Sequence, residues 1–103
     1  MSLQNDISLD ARKILLINDK GNYTIPTDGL YPFQWNWDSA FAAYGFAQFD
    51  IPRAWKELET LFSAQWINGM VPHIIYHQVD DGYFPGPNIW KGIGPIPSSG
   101  ITQ

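Results

Sequence analysis

The chain has 103 residues, enough for one small domain with a modest core. Six Lys and Arg stand against ten Asp and Glu, the net charge is −4, and the cations are scattered, which excludes a phosphate-neutralising surface and with it a nucleic-acid partner. There is no cysteine, hence no disulfide framework or thiol chemistry, and no apolar run approaches the ~20 residues of a membrane span.

Residues 1–3 read as a cloning remnant, and no signal-peptide core follows, so a soluble cytoplasmic protein is expected. Asn22-Tyr23-Thr24 matches a glycosylation sequon, a coincidence if the chain is not secreted. The apolar side of Leu9, Ile14, Leu15, Leu16 and Ile17 predicts a helix over 8–19, started by Ser8 or Asp10 and closed by Gly21 as its C′ residue. Pro26, Gly29 and Pro32 make 22–34 loop or short extended pieces. A second helix is expected from Asp38-Ser39 to about Phe49, with alanines that let a neighbouring helix approach. Asp50-Ile51-Pro52 opens a third, in which Trp55, Leu58, Leu61 or Phe62, and Trp66 follow the helical period until Asn68-Gly69. The two form an αα-hairpin. Residues 70–77 read as extended, and 78–103 as a long loop of the kind that is usually functional.

Five Trp, five Tyr and six Phe are a heavy aromatic load for this length, and they are not evenly spread. Tyr31-Pro32-Phe33-Gln34-Trp35-Asn36-Trp37-Asp38-Ser39 combines flat rings, which stack on the C–H faces of sugars, with a carboxylate that accepts from hydroxyls. At a helix start Asp38 would stay ionised, held by backbone N–H groups. The structural alternative is that both tryptophans fill the core and Asp38 only caps the helix. Tyr83-Phe84-Pro85-Gly86-Pro87 would suit a binding-site wall or a loop pinned to the body. His73 is either a hydrogen-bonding site residue or an ordinary buried histidine. His73 and His77 lie on an extended stretch, about 13 Å apart at ~3.3 Å per residue, too far to share a metal ion. No acid/base pair stands out among the carboxylates. Glu57 and Glu59 point to different sides of one helix and read as solvated, and Asp80 and Asp81 read as turn formers. No cofactor or metal is implied.

The two aromatic motifs, together with Gly69-Met70-Val71-Pro72-His73-Ile74 and Ser99-Gly100-Ile101-Thr102-Gln103, occur in an order and at spacings that resemble glycoside hydrolase family 63, in particular its bacterial mannosylglycerate and glucosylglycerate hydrolases. The resemblance covers roughly residues 9–103. It implies an all-α fold: the amino-terminal segment of an (α/α)6 barrel, about the first helical hairpin plus long loops. It implies an inverting α-glycoside hydrolase acting on a small saccharide such as glucosylglycerate or mannosylglycerate. Asp38 would grip hydroxyls of the sugar being cleaved, and Trp35 and Trp37 would line the same subsite. Tyr31 would face the aglycone, with Tyr83 and Gln103 as further glycerate contacts. The general acid and base are expected outside these residues, so the chain alone should be inactive. It should associate with itself or pack against the rest of a barrel through its aromatic faces. The alternative is a stand-alone carbohydrate-binding module without catalysis.

Overall fold

The computed structural model describes residues 3–92 and 94–102. In chain order it holds α1 (Leu3–Ile17), β1 (Gln34–Trp35), α2 (Asn36–Phe46), α3 (Ile51–Ser63), β2 (Ile74–Ile75) and α4 (Pro87–Trp90). The chain is mostly helical with a small sheet, so the all-α expectation needs that amendment. β1 and β2 pair antiparallel, Gln34 opposite Ile75 and Trp35 opposite Ile74, and Ser98 bridges Ile75 from the other side.

The three longer helices exist where the period placed them, but their ends differ, and the short α4 lies in the stretch read as loop. α1 begins at Leu3, so Ser8 and Asp10 lie within it and cap nothing. Gly21 is not its C′ residue. The helix stops at Ile17, and Gly21 (φ +98°) turns a separate tight loop in which its N–H donates to Asp19 Oδ1 at 2.7 Å. α2 begins two residues before the expected start, with Trp35 at the N-cap position, and ends at Phe46. Asp38 is therefore inside the first turn and is not the cap. β1 runs directly into α2, leaving no room for a capping loop. α3 starts as read: Asp50 accepts from the Arg53 N–H at 3.1 Å and Pro52 sits in the first turn. It closes at Ser63, which leaves Trp66 beyond the helix, its indole N–H donating to Ser98 Oγ at 2.8 Å.

α2 and α3 pack as the expected hairpin. α1 crosses α2 at Gly45, where an added Cβ would stand 2.9 Å from Leu15 Cδ1, and its Arg12 guanidinium lies over the Phe49 ring at 4.3 Å. Few other contacts hold α1, and the molecule is elongated, 51 × 28 × 20 Å.

Two apolar clusters fill the body. One gathers Phe33, Trp35, Ile74 and Tyr76 around the sheet, the other Leu61, Ala64 and Ile75 under α3. The inward side of α3 is polar as well as apolar: Arg53, Ala54, Glu57 and Leu61 are buried, while Trp55 and Phe62 are 60% and 55% exposed. Glu57, expected to be solvated, is fully buried. The 3.6-residue period correctly groups α3 residues by face, but the face that turns inward carries the ion pair. The face with Trp55 joins Ala40 and Tyr44 of α2, and Ala47 just after it, in an open apolar surface.

Candidate saccharide site

The β1–α2 junction aims four motif residues at one place. A cavity of about 300 Å³ is lined by Pro26, Tyr31, Trp35, Trp37, Asp38 and His73. That volume lies at the small end of the ligand-cavity range, the size of one sugar unit with a short substituent. Trp35 is buried, and Tyr31 stands edge-on to it at 5.4 Å between ring centroids. Trp37 is half exposed, braced edge-on by Phe41 at 5.8 Å. Trp35 is thus a buried wall packed on Phe33, while Trp37 keeps an exposed side for a ligand.

Asp38 is the one carboxylate among the described residues lining this cavity. Burial pushes its pKa above the ordinary carboxylate value, against the opposing pull of its own N–H and of His73. The backbone N–H hold expected at the helix start is present, and burial works against it. A half-buried carboxyl flanked by rings is suited to accept from two vicinal hydroxyls. With no second carboxylate beside it, the cavity holds no acid/base pair of the kind glycoside hydrolysis uses.

His73 arrives from the other strand. Asn36 clamps it: the Asn36 N–H donates to the His73 carbonyl at 2.8 Å and its side-chain amide to the Pro72 carbonyl at 3.1 Å. The His73 Nδ1 is buried and has no hydrogen-bond partner among the described residues, a costly arrangement unless a partner arrives. His77 turns elsewhere. Its ring stacks on Tyr23 at 3.9 Å, and its Nε2 bonds Gln34 Oε1 at 2.8 Å.

Tyr83 does not line this cavity. Its ring stands edge-on to Phe33 at 5.3 Å and to Trp35 at 5.6 Å, behind the site wall, and it faces a second cavity bounded by His77 and Asp80. Burial raises its pKa, and the neighbouring Tyr31 adds to the rise, so the two phenols are close. Phe84 is exposed. Asp80 forms the turn expected of it, accepting from the Gly82 N–H at 3.0 Å. Gln103 lies outside the described residues.

The residues that sequence reasoning missed are those beneath the site. Glu57 Oε2 accepts from Ser39 Oγ at 2.6 Å, from Gln34 Nε2 at 3.3 Å and from the Thr24 N–H at 3.1 Å; its Oε1 accepts from Thr24 Oγ1 at 2.6 Å. Arg53 neutralises it at 3.2 Å and reaches Asp19 at 2.8 Å. The one sequence signal was the i, i+4 spacing of Arg53 and Glu57, which more often marks an exposed helix face.

Residues 31–103 match the family described as the mannosylglycerate hydrolase MGH1-like glycoside hydrolase domain. The chain is 58% identical over 94 residues to mannosylglycerate hydrolase MGH2 of Selaginella moellendorffii, covering 90% of this chain and 19% of that protein. It is 51% identical to the glucosylglycerate hydrolase of Mycolicibacterium hassiacum over 80% of this chain and 19% of that one. Its structure superposes on the GH63 mannosylglycerate hydrolase of Thermus thermophilus, solved with Tris and D-glycerate, with a TM-score of 0.84 and 47% identity, covering 94% of this chain and 23% of that one. The chain thus spans about a fifth to a quarter of the length of these glycoside hydrolases.

Proposed function

The chain belongs to the MGH1-like glycoside hydrolase family, and from that premise we propose that it is the sugar- and aglycone-gripping amino-terminal segment of an inverting α-glycoside hydrolase acting on mannosylglycerate or glucosylglycerate. The observation that carries this reading is the convergence of Tyr31, Trp35, Trp37, Asp38 and His73 on one cavity. The tryptophans take the apolar face of the hexose. Asp38 accepts from its hydroxyls, and His73 Nδ1 finds its missing partner in the ligand. Tyr31, which lines the cavity, faces the glycerate, whose carboxylate its phenol suits as a donor.

Hydrolysis needs a carboxylic acid to protonate the glycosidic oxygen and a carboxylate, roughly 6.5–9.5 Å away, to activate water on the opposite face. Both come from the part of the barrel that this chain does not span. Asp38 contributes positioning and hydroxyl bonds, not proton transfer. The α2–α3 hairpin is the first pair of an (α/α)6 barrel, and its apolar face with Trp55 packs on the remainder or, in its absence, on a second copy.

The test is a titration of the chain with mannosylglycerate and with glucosylglycerate, followed by tryptophan fluorescence and by release of free sugar. Saturable quenching that Asp38→Ala abolishes, without sugar release, is the expected result. Release of sugar by the chain would overturn the assignment of acid and base elsewhere. Absence of quenching by either glycoside would remove the gripping role.

A further inference from the structure

Gln34 immediately precedes Trp35, and Ser39 immediately follows Asp38. Both side chains donate to the same oxygen, Glu57 Oε2, Gln34 Nε2 at 3.3 Å and Ser39 Oγ at 2.6 Å, and Gln34 Nε2 also donates to Ser39 Oγ at 2.9 Å. The segment carrying both tryptophans and the aspartate is therefore bracketed at its two ends by one buried carboxylate. The same carboxylate takes both donors of Thr24, two residues before the cavity-lining Pro26. Through Gln34 Oε1 the bracket extends to His77, on the 73–77 segment that also carries His73. Three of the segments around the cavity are thus tied to a single group that does not itself line it.

We infer that Glu57 is the positioning residue of this site: it fixes the first turn of α2 against the 24–26 and 73–77 segments, and so sets the mutual placement of Trp35, Trp37 and Asp38. The inference rests on the saccharide-site reading for what the placement serves, while the placement itself is independent of it. A buried carboxylate is better suited to this than a neutral group, because hydrogen bonds to an ionised acceptor are shorter and roughly twice as strong. Arg53, from the same helix, supplies the counter-charge at Oε1 and also donates to Thr24 Oγ1 at 3.3 Å.

The five tryptophans give a position-resolved readout through their indole N–H resonances. Trp35 and Trp37 lie within the bracket, whereas Trp66, bonded to Ser98, lies outside it. Glu57→Gln keeps the side-chain shape and removes the charge. Ser39→Ala removes one arm and leaves the ion pair, which keeps the test decisive if the first variant does not fold. In Ser39→Ala the Trp35 and Trp37 resonances are expected to move while Trp66 stays in place. Saccharide affinity, read by titration with mannosylglycerate, is expected to fall about tenfold, the equivalent of one charge-assisted hydrogen bond. Unmoved Trp35 and Trp37 resonances, or a shift of Trp66 equal to theirs, would overturn the inference, the latter by showing general loosening. If the unsubstituted chain binds no glycoside, the gripping role fails, and the resonances still decide the positioning role.

Discussion

Arg53→Met is the most severe single change the structure points to. The Arg53 side chain is 8% exposed, its guanidinium rests over the Phe46 ring at 4.5 Å, and it pairs with Glu57 and Asp19. Methionine preserves the stem and its packing but removes the charge and all donors. Glu57, fully buried, keeps Thr24, Gln34 and Ser39 as donors and loses its counter-charge. Breaking a buried pair in this way costs about 3–5 kcal/mol. Asp19 is 23% exposed, and its share adds ~1 kcal/mol at most. Domains of this size have roughly 5–15 kcal/mol in total. The variant is therefore expected to lose a third or more of its stability. Urea unfolding followed by tryptophan fluorescence reads this directly: at a slope of about 1–3 kcal/mol per molar the midpoint falls by ~2 M. Arg53→Lys, which keeps the charge but not the fork that spans both carboxylates, should fall between the two. A loss below about 1 kcal/mol in Arg53→Met, the worth of an exposed ion pair, would refute the claim that Glu57 depends on this partner.

Other outcomes follow from the same geometry. In Gly94→Ala the new Cβ would stand 2.6 Å from the Trp66 ring and 2.7 Å from its nitrogen, so the bond to Ser98 must shift; a loss of about 1–3 kcal/mol in thermal or urea unfolding is expected, and a neutral result would contradict this close approach. Burial lowers the His77 pKa from 6.5, so the neutral ring contributes stability that is fully present above that value and is lost as pH falls through the lower folded value; unfolding midpoints measured between neutral and mildly acid pH should show this fall, and His77→Gln should flatten it. Asp19 acts at lower pH. Burial opposes its ionisation, but the Arg53 and Gly21 hydrogen bonds and the charges of Arg53 and Lys56 outweigh it, so its pKa lies below 3.8 and its stabilisation disappears only as pH falls through that depressed value, a step that should be missing in Arg53→Met. Trp55→Lys, on the open apolar face, should reduce concentration-dependent association in sedimentation; unchanged association would place the contact elsewhere.

The order of helices, the hairpin, the turn at Asp80 and the aromatic motif that forms the cavity were all legible in the amino-acid sequence, because each depends on neighbours within a few residues: the helical period, Asp50 and Pro52 at a helix start, alternating rings beside a carboxylate. The helix limits were less legible. The start of α2 moved because the strand at Gln34–Trp35 runs straight into Asn36, and pairing with Ile74–Ile75 is a contact about forty residues away. Tyr83 was placed with the site by its motif, yet the fold sets it behind Trp35, facing another cavity. Asp38 was read as an ionised site carboxylate with helix capping as the alternative; the fold sets it inside the first turn of α2, where burial raises its pKa. Glu57 shows the limit most clearly. A carboxylate on an amphipathic helix reads as solvated, since exposure is the cheaper state for a charge. Its burial became tolerable only once Thr24, the Gln34–Ser39 segment and Arg53 of its own helix closed around it. The sequence by itself determined which residues share a face and which chemistry they can offer; the tertiary structure decided which face turns inward, because the desolvation cost of each face depends on partners that only the folded chain brings together.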